Sequence, residues 1–112
     1  MTVDVTIDRR DGVVVLSVSG RLDAVNAAAF LETVRAEIDA GDGAMIMDLE
    51  GLEYLGSAGL RVVYIAASEL QKRDAGFAVC SPPPPIAKVI RLSGMEKLIP
   101  VYGSRADALA AL

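Results

Sequence analysis

The stretch AMIMDLEGLEYLGSAGLRVVYIAA, residues 44–67, runs from an apolar segment through a cluster of small residues into an apolar stripe at helical spacing. Its first part, AMIMDL (44–49), is a short continuous apolar run, the pattern of a strand buried on both faces. The acids Asp48, Glu50 and Glu53 then mark a loop. A helix is expected from about Ser57 to Arg73, with Leu60, Val63, Tyr64, Ala67 and Leu70 as its core stripe. Arg61, Ser68 and Gln71 face out, and Lys72 and Arg73 stand where cations suit the helix dipole.

Upstream, Val3, Val5 and Ile7 alternate with polar residues, the period of a half-buried strand. Asp11-Gly12 is a strong hairpin pair, and VVVLSV (13–18) resumes as a second strand, which Gly20 ends. Asn26 is placed to cap a helix reaching about Ala40, with Gly41 just past it. Phe30, Val34 and Ile38, beside Ala27 and Leu31, give that helix one apolar face.

Downstream, FAVC (77–80) is a short strand after the turn Asp74-Ala75-Gly76. Pro82 to Pro85 forbid helix until the last of them, so a third helix is expected from about Pro85 to Leu92, ended by Gly94. LIPVY (98–102) reads as a last strand whose Pro100 suits a sheet edge. Ser104-x-x-Asp107 opens a short final helix. The order β-β-α-β-α-β-α-β-α predicts a single α/β domain over residues 1–112. It would be a small mixed sheet with an opening hairpin, parallel crossovers and packed helices.

The totals agree with that architecture and exclude several functions. With 112 residues, 53% hydrophobic and 23% charged, the chain suits a globular domain with a real core. No apolar run approaches the roughly 18 residues of a membrane span, and the alternating first residues are not a signal peptide. Cys80 alone cannot form an internal disulfide, so the cytoplasm is the expected compartment. The formal charge is −4 and basic pairs such as Arg9-Arg10 are too short to track phosphates, which speaks against nucleic acid. The absence of histidine removes Ser-His-Asp hydrolysis and the commonest metal ligand. With one cysteine and no G-x-x-x-x-G-K-[ST], neither a metal nor a cofactor of its own is expected.

Ser57 stands at the carboxyl end of a strand, where α/β proteins place ligands and partners. Leu55-Gly56-Ser57-Ala58-Gly59 lacks the first glycine of a nucleophile elbow. Asp48, Glu50 and Glu53 match no calcium loop and read as solvated loop charges. Composition and spacing alone favour Ser57 as a helix N-cap. That leaves Gly56, Ala58 and Gly59 unexplained, small residues that would let another protein's backbone approach an exposed hydroxyl. Asp23 is either a turn or capping carboxylate or a partner contact. Arg61 reads as a surface charge, Cys80 as a buried small hydrophobe, and Tyr64 as a core residue with its hydroxyl at the edge.

DLEGLEYLGSAGLRVV (48–63) resembles the signature of the STAS domain, specifically that of the bacterial anti-sigma factor antagonists. The shared pattern is an acidic or polar residue, a phosphorylatable serine, a small residue, then Gly-Leu at a helix start. SGRLDAVNAAAF (19–30) is similar to the family's Gly-x-Leu-Asp turn leading into helix one. VCSPPPPIAKVIRLSGMEKLIPVY (79–102) is similar to its strand, proline-containing loop, helix, Ser-Gly and final strand. The resemblance covers essentially the whole chain in the same order.

The resemblance implies that Ser57 is a phosphate acceptor, with Gly59 and Leu60 its companions at the helix start. Asp23, in the neighbouring turn, would join Gly56, Ser57, Ala58, Gly59 and Arg61 in contacting a partner. Gly56 stands where many relatives carry Asp, which removes a charge that a kinase could read. The implied function is a non-enzymatic switch, monomeric when free. Unphosphorylated, it would bind an anti-sigma factor and release the sigma factor. That partner would be a GHKL-type serine kinase whose ATP modifies Ser57, and a serine phosphatase would restore the first state. Two other functions stay open at this point: a STAS accessory subunit of a lipid transporter, and a weak nucleotide-binding domain.

Overall fold

The hairpin forms at Asp11-Gly12, whose φ angles of 49° and 80° are those a two-residue hairpin turn of the primed type requires. The structure is a computed structural model that describes residues 2–41 and 43–112. Its strands are β1 (Val3–Arg10), β2 (Val13–Leu22), β3 (Ala44–Leu55), β4 (Phe77–Cys80) and β5 (Val101–Tyr102). Its helices are α1 (Ala27–Ala40), α2 (Ser57–Lys72), α3 (Pro84–Ser93) and α4 (Arg105–Ala111), with a 3-10 turn at Met95–Lys97.

The sheet order is β1-β2-β3-β4-β5, antiparallel between β1 and β2 and parallel elsewhere. Because the order advances one strand at a time in one direction, right-handed crossovers carry α1, α2 and α3 onto the same face. Phe30 and Val34, Val63 and Leu70, and Ile86 and Ile90 close there over Leu16, Val18, Met45, Met47 and Val79. The other face is covered by α4, whose Ala108 packs on Val15, Ile46, Ala78 and Cys80.

Both middle strands run further than the apolar runs predict. The segment expected as a loop after Leu49 is strand as far as Leu55, and β2 passes Gly20 to reach Leu22. The cause is burial: Leu22, Leu52 and Leu55 all lie in the core, while Glu50 and Glu53 face water between them. Gly20, at φ 90°, does not end the strand but sits beside a register shift, and Arg21 comes to lie opposite Tyr54.

Asp48 is a second correction, because it is not a solvated loop charge. It is 4% exposed on β3 and its Oδ2 accepts from Arg105 Nε at 3.1 Å and Nη2 at 2.9 Å. Its Oδ1 accepts the Glu50 N–H at 3.0 Å, and Arg105 Nη2 also donates to Ser17 Oγ at 2.8 Å. This cluster pins the first residue of α4 to the sheet. The expected strand 98–102 is reduced to Val101–Tyr102, because Met95–Lys97 turns as 3-10 helix and buries Met95 and Ile99. Ser104 caps α4 as its spacing predicts, accepting the Asp107 N–H at 3.1 Å.

Candidate partner-binding site at the start of α2

Leu22 and Leu55 end β2 and β3 side by side, in register. The chain leaves β3 through Gly56, whose N–H donates to the Leu22 carbonyl at 3.0 Å, and α2 begins at Ser57. Gly56, extended at φ −91° and ψ 176°, is the capping residue, and no side chain caps this end. Ser57 is therefore not the N-cap that spacing alone favours. It is the first residue inside the helix, exposed, with a hydroxyl that makes no cap bond. The first main-chain bond of α2 runs from the Leu60 N–H to the Gly56 carbonyl at 3.0 Å. The N–H groups of Ser57, Ala58 and Gly59 are thus left without helical partners at the positive end of the dipole.

The small residues divide between two tasks. Gly59 is buried, and a Cβ there would stand 2.7 Å from Leu22 Cγ and 2.8 Å from Leu55 Cδ1. Its lack of a side chain lets α2 settle onto the strand ends, which places Ser57; it offers no exposed surface of its own. Ala58 is half-buried against the same core. Gly56 makes room for Tyr54, since a Cβ would stand 3.2 Å from its ring and hydroxyl. Over that ring, 4.3 Å from its centroid, lies the Arg21 guanidinium.

Asp23 belongs to the adjoining turn. Its Oδ1 accepts the N–H of Val25 at 3.0 Å and of Asn26 at 3.4 Å, and its own N–H donates to Asn26 Oδ1 at 3.0 Å. Asn26 Nδ2 reaches back to the Arg21 carbonyl at 2.7 Å, so this side chain braces the turn instead of capping α1. The turn displays Val25 at its tip, 89% exposed.

On the other side of Ser57 the apolar stripe of α2 differs from expectation. Gly59, Val62, Val63, Ala66 and Leu70 are buried, while Tyr64, expected in the core, is 52% exposed. Leu60 and Ala67 are half-buried. The stripe is wider than the sheet can cover, and its edge forms one wall of a groove. Ser57, Leu60, Arg61 and Tyr64 line that wall, and Ser93, Gly94, Met95 and Leu98 line the other, around about 310 Å³. Leu98 is 70% exposed.

Sequence reasoning brought Ser57, Gly56, Arg61 and the Asp23 turn to this end of the fold, but missed Arg21, Tyr54, Tyr64 and Leu98. The first two become neighbours only once both strands extend past their apolar runs. Elsewhere, Cys80 is buried as expected, and burial pushes its thiol above the ordinary value of 9.0. No cluster of three metal-ligating side chains occurs among the described residues, and no helix among them is long and apolar enough to cross a membrane.

Comparison with known proteins agrees with this architecture. The STAS domain family matches residues 4–108. The anti-sigma-F factor antagonist RsfB of Mycobacterium tuberculosis is 31% identical over 111 residues, covering 99% of this chain and 90% of that protein. The crystal structure of an anti-sigma factor antagonist from Mycobacterium paratuberculosis superposes with a TM-score of 0.88 at 33% identity, covering 98% of this chain and 93% of that one. The unphosphorylated form of the anti-sigma factor antagonist SpoIIAA shares the fold at a TM-score of 0.79, with 20% identity and coverage of 95% and 93%. A match over nearly the whole domain, on the same order of strands and helices, means that the chain belongs to the STAS domain family, among the bacterial anti-sigma factor antagonists.

Proposed function

We propose that the chain is a phosphorylation-controlled anti-sigma factor antagonist whose switch residue is Ser57. Unmodified, it binds an anti-sigma factor through the start of α2 and the Asp23 turn, and the sigma factor is released. The partner is itself a serine kinase. It transfers the γ-phosphoryl group of its own ATP to Ser57 Oγ, with ADP leaving and the hydroxyl proton released. A separate phosphatase hydrolyses the phosphoserine and restores binding. The chain, residues 1–112 as one domain, acts in the cytoplasm as a binding module and catalyses nothing.

The observation that carries this proposal is the exposed hydroxyl of Ser57 at the first position of α2, free of any capping duty. Main-chain N–H groups that lack helical partners suit an anion there. A phosphate at a protein interface must lose its water, which costs several kcal/mol unless the partner supplies donors. A loss of about 3 kcal/mol already exceeds a hundredfold in affinity. The test is capture and identification of what binds a Ser57→Ala variant, followed by mass spectrometry of the wild type after incubation with that partner and ATP. An anti-sigma factor bound by Ser57→Ala, and phosphate on Ser57 that abolishes binding of the wild type, are expected. Phosphate found elsewhere, or phosphorylated chain that binds as tightly as unmodified chain, would sink the proposal.

A further inference from the structure

Most arginines of this acidic chain are held in ion pairs. Five of the eight sit in ion pairs with carboxylates, and among the described residues Arg21, Arg61 and Arg91 do not. Two of these three bracket Ser57. Arg21 sits over the ring of Tyr54, which lies beside Gly56, and Arg61 stands one helical turn after Ser57 in the wall of the groove there. With acids outnumbering bases 15 to 11, guanidiniums free of carboxylates are a departure from the rest of the surface. The carboxylate nearest Arg21 in sequence, Asp23, turns its Oδ1 into its own backbone turn. Beside each arginine lies exposed aromatic surface, Tyr54 at 41% and Tyr64 at 52%.

We propose that Arg21 and Arg61 are the recognition residues of this face, and that they take carboxylates from an acidic segment of the anti-sigma factor whose apolar side chains cover Tyr54 and Tyr64. The proposal rests on the antagonist function argued above and adds the chemistry of the partner's contact. Arginine and tyrosine, with tryptophan, are the side chains enriched where interface energy concentrates, and a guanidinium already seated over a ring loses little freedom on pairing. Charge complementarity selects the occupant: the groove wall at Ser57 carries one charge, that of Arg61, and it is positive. The same placement gives phosphorylation a second effect. Residues 57 and 61 are neighbours on one helix face, so a phosphate on Ser57 competes with the partner's carboxylate for the Arg61 guanidinium.

The experiment needs no partner at first. The isotope-labelled chain is titrated with a capped hexaglutamate peptide at low salt while the arginine Nε–H signals are followed. The Arg21 and Arg61 signals should move together, the ion-paired arginines should stay in place, and high salt should reverse the shift. Movement centred on Arg91, even movement over all cations, identical shifts with sodium sulfate, or no movement would overturn the proposal. With the anti-sigma factor captured by Ser57→Ala, Arg21→Gln and Arg61→Gln should each weaken binding about tenfold and flatten its salt dependence, at unchanged melting temperature. If both variants bind that factor as the wild type does, the recognition pair is wrong and the antagonist function stands. If no anti-sigma factor binds any form while the peptide still maps to the two arginines, the antagonist function is wrong and the acidic class of partner stands.

Discussion

The Gly56 N–H donates to the Leu22 carbonyl at 3.0 Å, so the residue before Ser57 is held by the end of β2 as well as by α2. Chemistry on the Ser57 hydroxyl therefore happens outside the contacts that fix the helix start. A phosphoserine adds about −1.5 to −2 charge at pH 7, facing the positive end of the dipole. Phosphorylated chain and Ser57→Asp should melt within a few degrees of the wild type, and calorimetry on all three checks this. Ser57→Ala should keep partner binding and Ser57→Asp should lose most of it.

Gly59→Ala should be damaging although it adds one methyl group. The new Cβ would meet Leu22 and Leu55 at 2.7 and 2.8 Å, and both are locked in the core. Overpacking of this kind costs about 1–3 kcal/mol, readable as a lower urea midpoint at unchanged slope. A neutral result would mean that α2 can lift from the strand ends without penalty.

Gly56→Asp should leave the fold nearly intact and change the rate of phosphorylation. The backbone there is extended, open to any residue, and the ring displaced is the exposed Tyr54. An Asp cap gains a few tenths of a kcal/mol over Gly. Moving Tyr54 also disturbs the seat of Arg21. Equal phosphorylation rates for variant and wild type with the cognate kinase would show that position 56 is not read.

Arg105→Met should strand the Asp48 carboxylate, which is 4% exposed, without its ion-pair partner. Breaking one side of such a pair costs about 2–4 kcal/mol, the lower end being apt because Arg105 itself is partly exposed. Asp48→Asn in the same chain should return part of that loss. Chemical denaturation of the two single variants and the double variant provides the measurement.

Cys80 carries a pH dependence of known sign. Burial raises its thiol above 9.0; Ser81 lowers it, Asp48 raises it, Arg105 lowers it and Glu50 raises it, each by less than the burial. A group whose pKa is raised in the folded state gives stability that is intact below its unfolded value and lost as pH climbs toward the folded one. The wild type should therefore lose stability relative to Cys80→Ala as pH rises through about 9, where the unfolded thiol is half ionised. Parallel denaturation curves at rising pH decide it, and a constant difference between the two proteins would contradict the sign.

The element order was legible because each element announces itself locally: alternation in Val3–Ile7, the Asp11-Gly12 turn, the Phe30–Val34–Ile38 face, the proline stop before α3. What escaped was set at a distance. Glu50, Gly51 and Glu53 look like a loop, and they are strand because β2 lies beside them and Leu52 and Leu55 are buried beneath α2. Asp48 looks like a loop acid until Arg105, 57 residues away, is seen to reach it. Tyr64 falls on the apolar stripe of α2, yet the width of the core under that helix, which no local pattern encodes, leaves it outside. The start of α2 at Ser57 was legible, but the freedom of that side chain from capping depends on one residue of helix register that spacing does not resolve.

The sheet is laid down in chain order, each strand beside the one before it, and this bears on how the protein reaches its native state. No strand has to be inserted between two that are already paired, so partial structures grow at one edge and never need to reopen. Every crossover closes a loop between consecutive strands, which keeps the separation of contacting residues small for a largely parallel sheet and favours quick refolding. The edge finished last, β5, is two residues long and follows Pro100, so it is a poor template for pairing with another chain. The molecule thus meets few kinetic traps whenever it opens and refolds, and the edge it completes last offers a second chain little to pair with.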